Sequence, residues 1–241
     1  MKRAVLLLLA ILTALSITAC KDLKDMIPTT PPAEIPATAA SAHSDDLPGP
    51  AAMIEDFPVI SQLPELATGC EVTSLTMVLN YNGVAADKCD IADHYLDKGE
   101  IDASDYRKVF VGDPREEEAY GCFAPVIEKT ANRYLSAKKS KLKAKNISGT
   151  EFSELLSYID NSVPVIIWGT EKCVQGNYME SWEVNGETIY WYWPEHCMVL
   201  IGYGDYQVWV ADPLEGKVVT YDRILFECRY GELQKQAVVI Q

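Results

Sequence analysis

Apolar positions along the chain recur first at helical and then at strand spacing, and the change falls near Pro164. In CEVTSLTMVLNYNG, residues 70–83, the positions Val72, Leu75, Val78 and Leu79 follow the helical period, and Asn82 with Gly83 supplies a stop. That pattern predicts a central, largely buried helix. Further helices are expected around 87–97, 123–139 and 150–161, the last opening after Ser148 with Glu151 three residues on as a capping box. From Pro164 the texture changes. VPVIIW (163–168), TIYWYW (188–193), HCMVLIG (196–202), QVWVAD (207–212) and KVVTY (217–221) are short β-prone runs separated by turn residues. Helices first and an antiparallel sheet afterwards make an α+β domain.

Two segments precede this pattern. Residues 1–20, MKRAVLLLLAILTALSITAC, combine a basic start, one apolar run and small residues ahead of a cysteine, which reads as a secretory signal. The ending Ile17-Thr18-Ala19-Cys20 resembles the lipobox of bacterial lipoproteins. By that resemblance Cys20 becomes a lipid-modified N-terminus on the outer face of the bacterial cytoplasmic membrane. Acyl chains alone would be the anchor, because no later run approaches the ~20 apolar residues that cross a bilayer. Residues 21–50 are rich in Pro, Ala, Ser and Thr, bury too little to order themselves, and read as a tether that contains His43. Residues 51–241 read as one domain without internal repeats. The whole chain is acidic: 21 Lys and Arg against 35 Asp and Glu leave a formal charge of -14, which argues against nucleic acid as a partner.

Cys70 stands where a turn-rich loop becomes the central helix. Thr68 is positioned to cap that helix with Glu71 answering three residues on, which sets the cysteine in the first turn, where unpaired amides and the helix dipole favour a thiolate. A thiol with an ordinary pKa still needs a base to take its proton. Of the three histidines, His43 falls in the tether and His94 in a polar helical stretch, which leaves His196 at the start of a strand. An acceptor on a neighbouring strand should orient its ring, and Asp212 at the end of QVWVAD qualifies. Register tests the pair. A two-residue turn at 204–205 would put His196 and Asp212 on opposite faces; an odd loop, 203–205 or 202–206, sets them directly opposite and is the expectation.

GCEVTSLTMVL, PEHCMVLIGY and ADPLEGKV resemble the papain-like cysteine peptidases related to the bacteriocin-leader-processing, double-glycine peptidases, and in particular their free-standing secreted members. The resemblance extends over residues 54–241, including FPVISQLPE, FVGDPREEEAYGCFAPVI and FECRYGELQKQAVVI. It implies a papain-like fold, with the nucleophile at a central helix start packed on a C-terminal antiparallel sheet. It also implies Cys70 as nucleophile, His196 as base and then acid, Asp212 as orienter, and Gln62 as the oxyanion-hole amide alongside the Cys70 backbone N–H. The spacer LPELATG makes the interval from Gln62 to Cys70 longer than in the bacteriocin-processing enzymes.

The chemistry implied is acyl transfer through a thioester, with no metal or cofactor. The substrate would be a peptide or protein, cell-wall-associated proteins included, met by a monomer held at the membrane through its lipid. A binding module of the same fold without turnover, and an amidase or transpeptidase acting on peptidoglycan, are the alternatives. Loops 99–121 and 169–188 should carry substrate choice. Of Tyr190, Trp191, Tyr192 and Trp193, one alternating pair could wall the cleft while the other packs inward, with core and cleft roles both open, and Cys197 should be core, on the strand face opposite His196. Glu116, Glu117 and Glu118 read as a solvated loop, and the lysines from 138 to 145 as a solvated face.

Overall fold

The computed structural model describes residues 48–241. Residues 1–47, on which the signal, the Cys20 lipidation site and most of the tether with His43 are expected, lie outside them. The predicted central helix is α1, Cys70–Tyr81, and every residue from Cys70 to Leu79 is buried, so it is enclosed on all sides rather than amphipathic. Asn82 caps its C-terminus and Gly83, at φ 74°, turns the chain away. Its N-terminus differs from the expectation. The cap is Gly69, with no side-chain bond; the Thr68 hydroxyl donates instead to the Glu116 carbonyl at 3.0 Å, and Glu71 turns inward. A Cβ on Gly69 would lie 2.5 Å from Leu66 Cβ, so the approach to the helix admits only glycine.

The other helices fall where the periodicity places them: α2 is Lys88–His94, capped by Asp87, α3 is Ala124–Ala137, and α4 is Phe152–Asp160. The capping box expected at α4 is absent. Ser148 donates to Gln236 Oε1 and accepts from the Ala237 amide, while Glu151 pairs with Lys235 across 2.6 Å, so both side chains tie the helix to the C-terminal segment.

The main sheet has seven strands: β1 (Ala52–Met53), β4 (Ala144–Asn146), β5 (Val165–Thr170), β8 (Glu195–Tyr203), β9 (Gln207–Asp212), β10 (Lys217–Asp222) and β11 (Ala237–Ile240). Their order is β10-β9-β8-β5-β11-β4, with β1 beside the far end of β8, and every pairing is antiparallel. Central β8 is buried from Glu195 to Gly202 and reads as a continuous apolar run. One face of β8 packs under α1, where Ser74 Oγ donates to the Cys197 carbonyl at 3.2 Å. Gly169, opposite His196 on β5, faces Phe226 and Arg229 of the final helix α5, Arg223–Glu232. Two small ribbons stand apart: β2 (Lys98–Gly99) with β3 (Phe110–Val111), and the hairpin β6 (Asn177–Val184) with β7 (Glu187–Trp193). The hairpin turns on Asn185 and Gly186, both left-handed at φ 53° and 84°. Among the described residues no helix is long and apolar enough to cross a membrane.

The β8–β9 connection corrects the expected register. Gly204 N–H donates to Gln207 O at 2.8 Å, so the turn is the two residues Asp205 and Tyr206, not an odd loop. Carried straight along the ladder, that turn would align Asp212 with Val199, on the face opposite His196. A β-bulge prevents it: Gly202 pairs with Trp209 but Leu200 with Val210, leaving Ile201 as an extra residue on β8. Beyond the bulge Asp212 falls in line with Met198, two residues from His196 on the same face. The pair is therefore diagonal rather than directly opposite.

Candidate active site

Three segments meet at one cavity of about 640 Å³. The start of α1 brings Cys70, the preceding loop brings Gln62, and the start of β8 brings Glu195 and His196. Asp212 stands behind the histidine, where its Oδ1 lies 2.8 Å from His196 Nε2. Both side chains are almost wholly removed from water, 3% and 2% exposed, which makes this a buried hydrogen-bonded pair rather than a surface one. The carboxylate is fully employed: Oδ1 also accepts the amides of Leu214 at 2.9 Å and Glu215 at 3.3 Å. Burial would push the Asp212 carboxyl up, but the His196 hydrogen bond and charge, with those two amides, hold it below the usual carboxylate range. With Nε2 engaged, Nδ1 is the ring nitrogen left to exchange a proton with a thiol.

The thiol itself is placed otherwise than the dipole argument expects. Cys70 Sγ donates to Glu71 Oε2 at 3.3 Å, and no hydrogen bond joins it to His196 among the described residues. Burial pushes the Cys70 thiol well above its ordinary range, and Glu71 and Glu195 push it further, so burial together with two acidic neighbours outweighs the helix N-terminus. Glu71 is completely buried; its Oε1 accepts the Cys122 amide at 2.6 Å, and burial raises the carboxyl to about 7 against these hydrogen bonds. Glu195 is 9% exposed, makes no hydrogen bond through Oε1, and is held well above the carboxylate range by burial and by the charges of Glu71 and Glu171. One oxygen of each carboxyl and the Cys70 sulfur lie within 4.8 Å of one another. Gly121 covers the cluster from above, since a Cβ there would fall 2.4 Å from Glu71 Oε1.

Neither glutamate is singled out by the sequence as part of a site. The available signal is Glu71 itself, a charged residue inside a helix whose neighbours are buried all round, and Glu195 beside the histidine. Gln62 lines the cavity and is 3% exposed. Its Nε2 donates to the Ala67 carbonyl at 2.8 Å, which occupies one of its two amide hydrogens, and Oε1 has no partner. The amide of Cys70, first in its helix, has no intrahelical acceptor. His94 is exposed and bonded to Asp90 on its own helix. None of Cys70, Cys89, Cys122, Cys173 and Cys197 is disulfide-bonded, and Cys197 is core, paired with Trp168.

The cavity walls come from the two loops expected to hold specificity. Ile101, Glu117, Glu118, Ala119 and Tyr120 form one side, and Glu171, Met179 and Glu180 the other. Trp191 and Trp193 close it, so that of the four aromatic residues before His196 it is the tryptophan pair that faces the cleft. Trp191 is held rigid by edge contacts to Tyr106 and Tyr120, at 5.3 and 5.4 Å between ring centroids.

A family model described as Peptidase_C39 like family matches residues 54–238. The chain is 32% identical over 182 residues to the uncharacterized protein YvpB of Bacillus subtilis (strain 168), covering 74% of this chain and 71% of that protein. A crystal structure from Bacillus anthracis, described as a candidate C39-like peptidase, superposes with a TM-score of 0.71 at 29% identity, over 79% of this chain and 96% of that one. The α+β architecture is thus the papain-like one.

Proposed function

The chain belongs to the Peptidase_C39 like family, and on that premise we propose that it is a cysteine peptidase that cleaves peptide bonds through Cys70, His196 and Asp212. The observation that carries this reading is the buried His196–Asp212 pair, 2.8 Å apart, opening onto the same cavity as Cys70. Asp212 fixes the imidazole tautomer. Cys70 turns from Glu71 toward His196, gives its proton to Nδ1, and attacks the substrate carbonyl as thiolate. The Cys70 amide and the second Gln62 amide hydrogen hold the oxyanion. Collapse of that intermediate breaks the C–N bond as the imidazolium protonates the leaving amine. Water, deprotonated by the same histidine, then hydrolyses the thioester and restores the thiol.

The signal-like segment and Cys20 support an extracytoplasmic enzyme anchored by lipid, which would meet peptides or wall-associated proteins. The Cys70–Glu71 contact favours a second reading, a module of this fold that binds peptide without cleaving it. Hydrolysis of a mixed fluorogenic peptide library by the full chain separates them. Turnover that disappears in Cys70→Ala and His196→Ala supports the peptidase; turnover that survives Cys70→Ala overturns the assignment. Peptide binding without turnover, at any pH from 5 to 9, selects the binding module. Turnover that appears only with an added amine acceptor makes the reaction a transpeptidation.

A further inference from the structure

The cavity around Cys70 has an uneven chemistry. Five of its lining residues, Glu117, Glu118, Glu171, Glu180 and Glu195, are glutamates, and among the described residues no lysine or arginine lines it. Acidic rims alone are common on a chain of charge -14. Glu195 is different, because it is not on the rim. It is nine-tenths buried, it lines the cavity, and its Oε1 is left without any hydrogen bond. A buried carboxyl without a partner is costly, and proteins keep such groups where something else completes them. The charged neighbours it feels are all of its own sign: Glu71 beneath it and Glu171 beside it. Beyond it stand Tyr120, Trp191 and Trp193, ring systems whose faces attract cations.

Resting on the peptidase reading above, we propose that the cleft is specific for peptides bearing a cationic side chain, lysine- or arginine-like, next to the scissile bond, its ammonium or guanidinium seated against Glu195 between Cys70 and Glu171. The cation supplies the donors that Glu195 lacks, and the tryptophan pair packs the aliphatic stem. The same charge also acts on the nucleophile. Burial, and after it the acidic neighbours Glu71 and Glu195, hold the Cys70 thiol protonated in the empty site. A substrate cation within hydrogen-bond reach of one of them offsets that field, so the correct substrate eases ionisation of the thiol that attacks it.

The test uses the full chain and a readout that needs no turnover. Cys70 is modified with a cationic reagent, 2-(trimethylammonium)ethyl methanethiosulfonate, and with its anionic sulfonatoethyl counterpart, each expelling sulfinate as the disulfide forms, and the Cys70 peptide is followed by mass. The proposal expects a cation-to-anion rate ratio at Cys70 about tenfold above that of Cys89 in the same molecule, and a fall of at least about fivefold in Glu195→Gln. Glu171→Gln is a second variant on the same wall and should lower the ratio in the same direction. A ratio equal to that of Cys89, or unchanged in both variants, overturns the proposal. In parallel, N-acetylated peptides that differ only in lysine, arginine, norleucine or glutamate beside the scissile bond are compared by kcat/KM. Preference for norleucine or glutamate overturns the cation site. Failure to cleave any peptide, with the charge ratio intact and sensitive to Glu195→Gln, counts against the peptidase reading while leaving the cation site standing.

Discussion

Replacing Glu71 by glutamine tests what keeps the Cys70 thiol protonated. The change preserves shape and keeps an acceptor for the Cys122 amide, but removes a carboxylate whose Oε2 lies 3.3 Å from the Cys70 sulfur. At that separation a unit charge opposes thiol ionisation by about 5 kcal/mol at an effective dielectric constant near 20, and by about 1 kcal/mol with water-like screening. At about 1.4 kcal/mol per pH unit, these limits bracket an acid shift of about 1 to 4 units. Because the Glu71 carboxyl titrates at about 7, part of its charge is already absent at neutral pH, and the lower half of the bracket is expected. The assay is the pH dependence of Cys70 carbamidomethylation in the full chain, read by peptide mass. A midpoint that stays in place, or moves to higher pH, refutes the claim that Glu71 suppresses the thiolate. Stability gives a second readout with a definite sign. The folded carboxyl keeps its proton to about 7, against an ordinary value of 4.5, so its contribution is whole below 4.5 and is lost as pH rises through 7. Glutamine cannot ionise. The variant should therefore lose less stability than the parent between pH 5 and 8, by up to about 3 kcal/mol, whereas a merely misfitting side chain would cost the same at every pH.

Other substitutions follow from the geometry. Asp212→Asn should lower kcat/KM by about 10²- to 10⁴-fold on any peptide the chain cleaves, because the imidazole loses its orienting charge. The same variant should be less stable at pH 7 in urea titration, and the gap should close as pH falls below 3.8 toward the lowered value of the folded carboxylate, where the parent loses the same interaction. Gly121→Ala should destabilise by roughly 2 kcal/mol or more in thermal unfolding, since its φ of 122° disfavours a side chain and the new Cβ would collide with Glu71 Oε1. Trp168→Phe should cost about 2 kcal/mol by removing the Nε1–H bond to the buried Cys122 carbonyl, now 2.9 Å long. A cost below about 0.5 kcal/mol would mean that water or repacking replaces the bond.

Much of the fold is legible in the chain because burial and period coincide. Val72, Leu75, Val78 and Leu79 are all fully buried, and β5 with β7, β8, β9 and β10 lie within a few residues of the apolar runs. Elements lacking such runs are not legible that way: β6 is exposed along most of its length, and α5 places only Phe226, Arg229 and Tyr230 inside. The hairpin did leave a local sign in Asn185-Gly186, the pair of residues most at ease with two left-handed conformations. In the site, His196 and Asp212 could be paired by reasoning on strands, since both end in extended segments beside each other. The route to that pairing could not, because no composition marks Ile201 as a bulge. The state of Cys70 was hidden for another reason. A helix start has the same sequence whether its acidic neighbour faces water or the core, and here Thr68 and Glu71 spend their polar atoms on residues 114–122 instead of on the cap.

The bulge also sets which changes of chain length the hairpin can absorb. Ile201 is one residue more than the pairing between β8 and β9 requires, so a chain whose interval from histidine to aspartate is fifteen rather than sixteen residues can run the same pairs on a straight ladder. It would forfeit the Ile201 carbonyl that receives the Ile54 amide at 2.8 Å and the Ile201 side chain, which is 1% exposed in the core. An insertion has no such reserve, because one more residue must open the turn or create a second irregularity before the two side chains share a face again. Length changes in this hairpin should accordingly be lopsided: a deletion at Ile201 keeps the register and costs core packing, whereas a single insertion loses the register unless the turn changes with it.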